Sequence, residues 1–356
     1  MQYAEITGWG KYTPPARLTN DDLATFVDTS DEWISTRTGI KERRISHLST
    51  SEMAAHAAEH ALASAGLQAK DIDLIVVATC SGDNLIPNTA SKVQNLLGTN
   101  GAACFDLNAA CSGFIYALQA ATAQVRSGMA KKALVIGAER MSWYVNWAAR
   151  ETAVLFGDGA GAVILEASDQ ECGMLESYAG CDSSAQEILS VSGFGSNIDR
   201  YNTDLSQLTI DFVGPEIFKR AVKGMGKATE VVLQNANLSV EDVNLLIPHQ
   251  ANLRIIGTLQ TKLKLTDEQC MVNIQNYGNT SAATIPMALC EALEQGKIQP
   301  GNNIMSAAFG AGLTVAASYI KWGQRVTPIQ PYQPQGQDSN QSALELLKTA
   351  IEHTKK

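Results

Sequence analysis

Three polar side chains in this sequence stand where apolar segments break off, and one of them has the chemistry of a nucleophile. Cys111 lies in Asp106-Leu-Asn-Ala-Ala-Cys-Ser-Gly-Phe114, where a strand-like stretch gives way to a helix. A thiol at a helix N-terminus meets the positive end of the macrodipole and free backbone N–H donors, which favour the nucleophilic thiolate. Ala109, Ala110 and Gly113 leave room beside it for a substrate. A packed core cysteine fits the same turn, and position alone leaves both readings open. His249 directly follows an apolar run in Leu246-Ile-Pro-His-Gln-Ala-Asn252. Strand ends of α/β sheets are where sites gather, although a histidine satisfied by backbone also belongs there. Asn279, in Asn276-Tyr-Gly-Asn-Thr-Ser-Ala282, is either a turn or cap residue or a polar member of the same site. His47, His56, His60 and His353 lie in polar surroundings and read as solvated.

Alternating strand-like and helical stretches must position these groups, which predicts an α/β fold. Strands are expected around Asp73–Thr79, Ala133–Gly137, Ala153–Phe156, Ala162–Leu165, Asn244–Ile247 and Asn303–Ser306. Helices are expected over Ser51–Ala65, Thr89–Leu97, Cys111–Ser127, Pro215–Gln234, Asn252–Leu263 and Ser281–Gln295. The order of elements repeats. Asp71-Ile-Asp-Leu-Ile-Val-Val is matched by Glu241-Asp-Val-Asn-Leu-Leu-Ile, and each leads to a small-residue turn that opens an Ala-rich helix. In that repeat Asn279 falls near the counterpart of Cys111, so a pseudo-twofold axis brings the two turns together. Gly157-Asp-Gly-Ala-Gly-Ala162 lacks the Lys-Ser/Thr of a phosphate loop and reads as a hairpin turn between buried strands.

The division expected is 1–168, a first half with the nucleophile, and 169–322, a second half with the histidine and asparagine. Residues 323–356 follow as an appendix. Its stretch Arg325–Gln341, with Pro328, Pro331 and Pro334, reads as a linker. Ser342-Ala-Leu-Glu345 is a capping box before an amphipathic helix whose Leu344, Leu347 and Ile351 share a face.

The 356 residues carry a formal net charge of −9, which repels phosphate backbones and argues against nucleic-acid binding. No apolar run approaches membrane-spanning length, and the N-terminus lacks the basic and apolar regions of a secretory signal, so no membrane insertion is expected. Seven cysteines without a C-x-x-C pair fit reduced thiols in a cytoplasm, and no ligand spacing suggests a metal.

At these residues the chain resembles the thiolase-like condensing enzymes, specifically β-ketoacyl-acyl-carrier-protein synthase III. The resemblance covers about residues 1–322. It rests on Asp28-Thr-Ser-Asp-Glu-Trp-Ile-Ser-Thr-Arg-Thr-Gly39, the Cys111 turn, Phe156-Gly-Asp-Gly-Ala-Gly161, Pro248-His-Gln-Ala-Asn252 and Gly278-Asn-Thr-Ser-Ala282. It implies a five-layered α-β-α-β-α fold, a homodimer and a triad of Cys111, His249 and Asn279. The implied reaction acylates Cys111 from an acyl-CoA, then condenses that acyl group with malonyl-acyl carrier protein. No cofactor is implied, since acyl-CoA and acyl carrier protein are substrates. The family's CoA tunnel falls on Trp33, Arg37, Arg150, Gly214, Phe218, Asn252 and Arg254. Carrier-protein docking falls on Lys219, Lys223 and Arg254, in a basic stripe that Lys227 extends and Arg220 flanks; a solvated helix face reads the same way.

The chain also departs from the family pattern. Ile86 stands before Pro87 where an aromatic is common, a position tied to primer selectivity. Ala311 replaces a glycine in Phe309-Gly-Ala-Gly312, Leu313-Thr-Val315 also differs, and the tail has no counterpart in compact members. A synthase or acyltransferase for longer or specialised primers is therefore one alternative, and a non-catalytic paralogue that binds acyl chains or carrier protein is another. A 3-hydroxy-3-methylglutaryl-CoA-synthase-like reaction lacks a motif for its additional general-acid glutamate.

Overall fold

The computed structural model describes residues 2–191, 196, 199, 201–202, 208–332 and 339–354. Alternation along the strands decides the layering. In Leu74–Ala78, Leu74, Val76 and Ala78 face one way, while Ile75 and Val77 face the other. The first set packs on the buried helix Gly113–Arg126, and the second shares an apolar cluster with the outer helices Thr50–Ala65 and Thr89–Leu96. The second half repeats this, with Leu245 and Ile247 inward and Leu246 turned toward the outer helices Gly214–Asn235 and Leu253–Lys262. Three apolar clusters thus separate five layers in the expected α-β-α-β-α order.

Among the described residues the first half orders its strands Ala103–Leu107, Leu74–Ala78, Lys132–Arg140, Asp158–Ser168 and Tyr3–Tyr12. The second orders Leu245–Pro248, Asn303–Gly310, Thr314–Lys321 and Gly173–Cys181. A lone bridge, Leu246 to Cys270, stands where the fifth strand belongs. The two sheets join through one parallel pair, Ala4 with Gly173. Thus Leu74–Ala78 pairs with Lys132–Arg140 in parallel, as Leu245–Pro248 pairs with Asn303–Gly310.

Two local expectations are corrected. Ala153–Phe156 is not a strand: Arg150–Ala153 is one helical turn, and only Phe156 bridges, to Asn279. Gly157–Ala162 is not a hairpin turn either. From Asp158 it is the start of the long strand Asp158–Ser168. Its glycines answer to packing, because a Cβ on Gly161 would come within 2.6 Å of Met287 N. A strand without side chains there lets the Thr284–Glu294 helix lie against it.

The appendix docks on its own chain. Ile329 N–H donates to Ser64 O at 2.9 Å, and the Tyr332 ring stacks on His60. The described part of the expected linker therefore runs along the Thr50–Ala65 helix, and the half-buried His60 is not simply solvated. Pro334 and its neighbours over 333–338 lie outside the described residues. The capping box forms, Ser342 N–H donating to Glu345 at 2.7 Å and Glu345 N–H to Ser342 Oγ at 3.3 Å. The buried seam of helix Ala343–Thr354 is Ala343, Leu347 and Ile351, with Leu344 only half-buried. It packs on the hairpin Ala16–Thr19 and Glu42–Ile45. Leu347→Ala is expected to lower stability by about 2–3 kcal/mol in urea unfolding. Limited proteolysis should then release the tail helix before the body of the protein is cut.

Candidate active site

The two turns that the repeat predicts do converge, and they are built alike. Asn108 Oδ1 accepts from Ala110 N–H at 3.1 Å, and Asn279 Oδ1 accepts from Ser281 N–H at 2.8 Å. Each turn then places a non-glycine residue in the left-handed region, Ala110 at φ +48° and Ser281 at φ +50°. That conformation costs roughly 1–3 kcal/mol per residue and marks a constrained site. The match refines the expectation: the counterpart of Asn279 is Asn108, and that of Cys111 is Ala282. The halves share a backbone, but each contributes different chemistry.

Cys111, His249 and Asn279 all line one cavity of about 1060 Å³. Cys111 belongs to the short turn Ala110–Ser112 ahead of helix Gly113–Arg126. Gly310 runs beside its backbone, close enough that a Cβ there would lie 2.7 Å from Cys111 N. The expected bias toward thiolate is not the resting balance. Burial pushes the thiol up to about 11, with the nearby Glu139 carboxylate adding to it and Ser281 opposing it. Cys111 therefore rests as a thiol.

His249 is buried, and burial pushes its imidazole down to about 3. It is neutral at working pH. Nδ1 lies 2.7 Å from Thr284 Oγ1, which is also 3.0 Å from Ser281 O. Thr284 has one hydroxyl proton. It goes to Ser281 O, since a carbonyl only accepts, so His249 Nδ1–H donates to Thr284 Oγ1 and Nε2 is left as an acceptor. Asn279 is fixed from three sides: its N–H donates to Leu155 O, its carbonyl accepts from Gly157 N–H, and Oδ1 is held by Ser281. Its Nδ2 is the end left to donate.

At the mouth, Trp33 stands on helix Asp31–Thr38, capped by Ser30 and ended by Gly39 at φ +78°. Arg37 and Arg150 place their guanidinium carbons 4.5 and 4.6 Å from its ring centroid. Arg254 donates to Thr36 O at 3.1 Å, tying its helix to that of Trp33. Trp33, Arg37, Gly214, Phe218, Asn252 and Arg254 line the cavity, whereas Arg150 reaches it only through Trp33. Lys219, Lys223 and Lys227 are exposed on one helix, but Arg220 is engaged by Asp182 and Glu216. Ile86 does not line the cavity. Its loop projects outward, leaving it 85% exposed beside an equally exposed Leu85.

Sequence reading missed two residues at this site. Glu139 is fully buried, and its carboxyl accepts from Thr79 Oγ1, from Cys80 N–H and Sγ, from Ser81 Oγ, and from Ser281 Oγ at 3.0 Å. Ser281 is the other. The available signal was an acidic residue closing the apolar run Ala133–Ala138.

The neutral imidazole has a consequence for stability. The folded value lies below the ordinary 6.5, so above pH 6.5 folded and unfolded chains bind protons alike. As pH falls from 6.5 toward 3, the unfolded chain takes up a proton that the folded one refuses. This is expected to cost about 2 kcal/mol at pH 5. Denaturant unfolding at pH 8 and pH 5 checks it, with the loss reduced by that amount in His249→Gln.

A family model described as 3-oxoacyl-[acyl-carrier-protein (ACP)] synthase III matches residues 105–183, and the model of that family's C-terminal region matches residues 233–322. The chain is 56% identical over 354 residues to the β-ketoacyl-[acyl-carrier-protein] synthase III 2 of Vibrio cholerae, covering 99% of this chain and 98% of the relative. It is 46% identical over 323 residues to the synthase III of Clostridium perfringens strain SM101, where 90% of this chain accounts for all of the relative. The crystal structure of 3-oxoacyl-[acyl-carrier-protein] synthase III from Aquifex aeolicus VF5 superposes with a TM-score of 0.84 at 46% identity, covering 90% of this chain and 100% of that one.

Proposed function

The chain belongs to the 3-oxoacyl-[acyl-carrier-protein] synthase III family, and from that membership we propose how its residues divide the reaction. The protein is an acyltransferase, a condensing enzyme that initiates fatty-acid synthesis. In the proposed cycle Cys111 attacks the thioester carbonyl of an acyl-CoA primer and CoA leaves as its thiolate. The backbone N–H groups of Cys111 and Gly310 hold the oxyanion, a role supported by their close approach. The Cys111 proton passes to Nε2 of His249; malonyl-acyl carrier protein then loses CO2, and that Nε2–H with Nδ2 of Asn279 donates to the enolate oxygen. The enolate carbon attacks acyl-Cys111 and releases β-ketoacyl-carrier protein. The observation that carries this reading is that a thiol, a neutral imidazole and a fixed carboxamide line one largely apolar cavity. An intact triad of this kind speaks against the non-catalytic reading. The cycle calls for no cofactor, because every proton and electron pair comes from the substrates or these side chains.

Trp33, with Arg37 and Arg150 over its ring, takes the adenine and phosphates of CoA, supported by the cation-rich mouth. The exposed Lys219 and Lys223, with Arg254, offer positive charge to an acidic carrier protein. The reading includes a cytoplasmic homodimer and the three-part division at residues 168 and 322. Support for a dimer comes from the edge strand Ala103–Leu107 and the outward Leu85 and Ile86, apolar surface that a second copy would cover. Ile86 would then act on primer choice from across that interface. No helix among the described residues is long and apolar enough to cross a membrane.

Intact-protein mass spectrometry with acyl-CoAs from acetyl to octanoyl tests the nucleophile. A single acyl adduct is expected, absent in Cys111→Ala. His249→Ala and Asn279→Ala should still acylate but lose roughly 10²–10³-fold in malonyl decarboxylation. An adduct that survives Cys111→Ala would overturn the assignment.

A further inference from the structure

His249 and Asn279 come from separate segments, yet both are oriented through one residue. Ser281 N–H donates to Asn279 Oδ1 at 2.8 Å, which leaves Nδ2 as the donor end of the carboxamide. Ser281 O accepts from Thr284 Oγ1 at 3.0 Å, and Thr284 Oγ1 in turn accepts from His249 Nδ1–H at 2.7 Å. The two peptide groups of Ser281 thus set the orientation of one side chain and the tautomer of the other. They do so from a left-handed conformation, φ +50°, which a non-glycine residue keeps only where its surroundings fix it.

Those surroundings come from the other half of the molecule. Along Lys132–Arg140, Ala133 and Val135 face the helix Gly113–Arg126, while Leu134, Ile136 and Ala138 face outward. The alternation carries Gly137 and Glu139 onto the inner face. Gly137 lets the backbone at Ala282 approach, and Glu139 Oε1 accepts from Ser281 Oγ at 3.0 Å. The rest of this buried carboxyl is taken up on its own side by Thr79 Oγ1, by Cys80 N–H and Sγ, and by Ser81 Oγ. Thr79 Oγ1 already accepts from Ser81 N–H, and Ser81 Oγ from Arg140 N–H, so both hydroxyl protons point to Glu139. The carboxyl is fastened to the first half and reaches across to the second through the Ser281 hydroxyl.

We propose that Glu139 is a positioning residue for malonyl decarboxylation: by anchoring the Ser281 hydroxyl it locks the turn that orients Asn279 and His249. This rests on the reading of those two side chains as the groups that meet the enolate. Glu139 does not line the cavity, whereas Ser281 does, so the carboxyl acts on the reaction through the turn and exchanges no proton with the substrate. A donor aimed at a developing charge is effective only when it is already in place, and a misplacement of about 1 Å costs roughly 10²-fold in rate. The anchor supplies that placement from a strand whose own position is fixed by the sheet.

Ser281→Ala deletes the anchored hydroxyl and keeps both peptide groups, and it leaves Glu139 its other donors. Glu139→Gln keeps the shape but sets an amide NH2 against groups that donate. On enzyme already acylated at Cys111, each should lower kcat for malonyl-acyl carrier protein decarboxylation by roughly 10²-fold. KM should stay within about twofold, because the donors act on a charge present only in the transition state. The double variant should be no slower than Glu139→Gln alone, as expected of one path. Nitrogen-15 NMR of histidine-labelled protein, assigned with His249→Gln, should find the His249 proton on Nδ1 in wild type and shared with Nε2 in both variants. Thermal melting confirms folding, and if Glu139→Gln melts below the assay temperature, Ser281→Ala alone decides. The proposal falls if Ser281→Ala decarboxylates within about twofold of wild type, if the loss lies in KM, or if the two losses multiply. A wild-type proton on Nε2 also overturns it. His249→Ala and Asn279→Ala that decarboxylate at the wild-type rate would instead defeat the underlying reading of the donors.

Discussion

Everything at the active site depends on how closely two helices lie between two sheets. Gly113–Arg126 and Thr284–Glu294 share the central layer, and their N-terminal turns carry Cys111 and Asn279. That approach is possible because the strands present bare backbone. A Cβ on Gly137 would lie 2.3 Å from Ala282 O, and one on Gly159 2.8 Å from Met287 Sδ. Glycine weakens a strand, by roughly 0.5–1 kcal/mol relative to alanine. Here the close packing of the second helix offsets that weakness. The asymmetric site is laid over a nearly symmetric scaffold, with the thiol from one turn and the imidazole and carboxamide from the other half.

Burial then sets the electrostatics. It raises the thiol of Cys111, lowers the imidazole of His249 and raises the carboxyl of Glu139, each toward its uncharged form. A cavity that is poor at holding charge strengthens any donor aimed at a developing one. In the proposed cycle the enolate and the oxyanion are the charges that such a site receives. The same property makes the resting enzyme reluctant to carry a thiolate, which is why the path of the first proton matters.

The sequence carried the fold and the three principal residues in a readable form because the repeat is written in periodicity. Matching apolar runs, matching small-residue turns and residues at strand ends are local signals. The Gly157–Ala162 stretch was misread because its glycines answer to a helix that arrives more than a hundred residues later. Ala153–Phe156 was misread because four apolar residues suit a strand or a buried turn equally. Glu139 escaped because a charged residue ending a strand ordinarily points to solvent; only the convergence of Thr79, Ser81 and Ser281 on it makes it internal. Ser281 was seen only as part of a motif, since its role needs the other half of the molecule. The docking of the tail was unreadable for the same reason. An amphipathic face states that a partner exists, and the hairpin that serves as partner lies at the other end of the chain.

The strand order has a consequence during synthesis. Tyr3–Tyr12 is made before every other strand of its sheet, yet its neighbours are Asp158–Ser168 and, through Ala4, Gly173. At about 5–20 residues per second, those partners follow after an interval on the order of 10–30 s. Throughout that time Ile6, Trp9 and Tyr12, all buried in the finished protein, have no sheet to enter. The first half therefore cannot close as its residues appear. It waits for its own last strand, and until that strand is made these side chains lack their partners in the sheet.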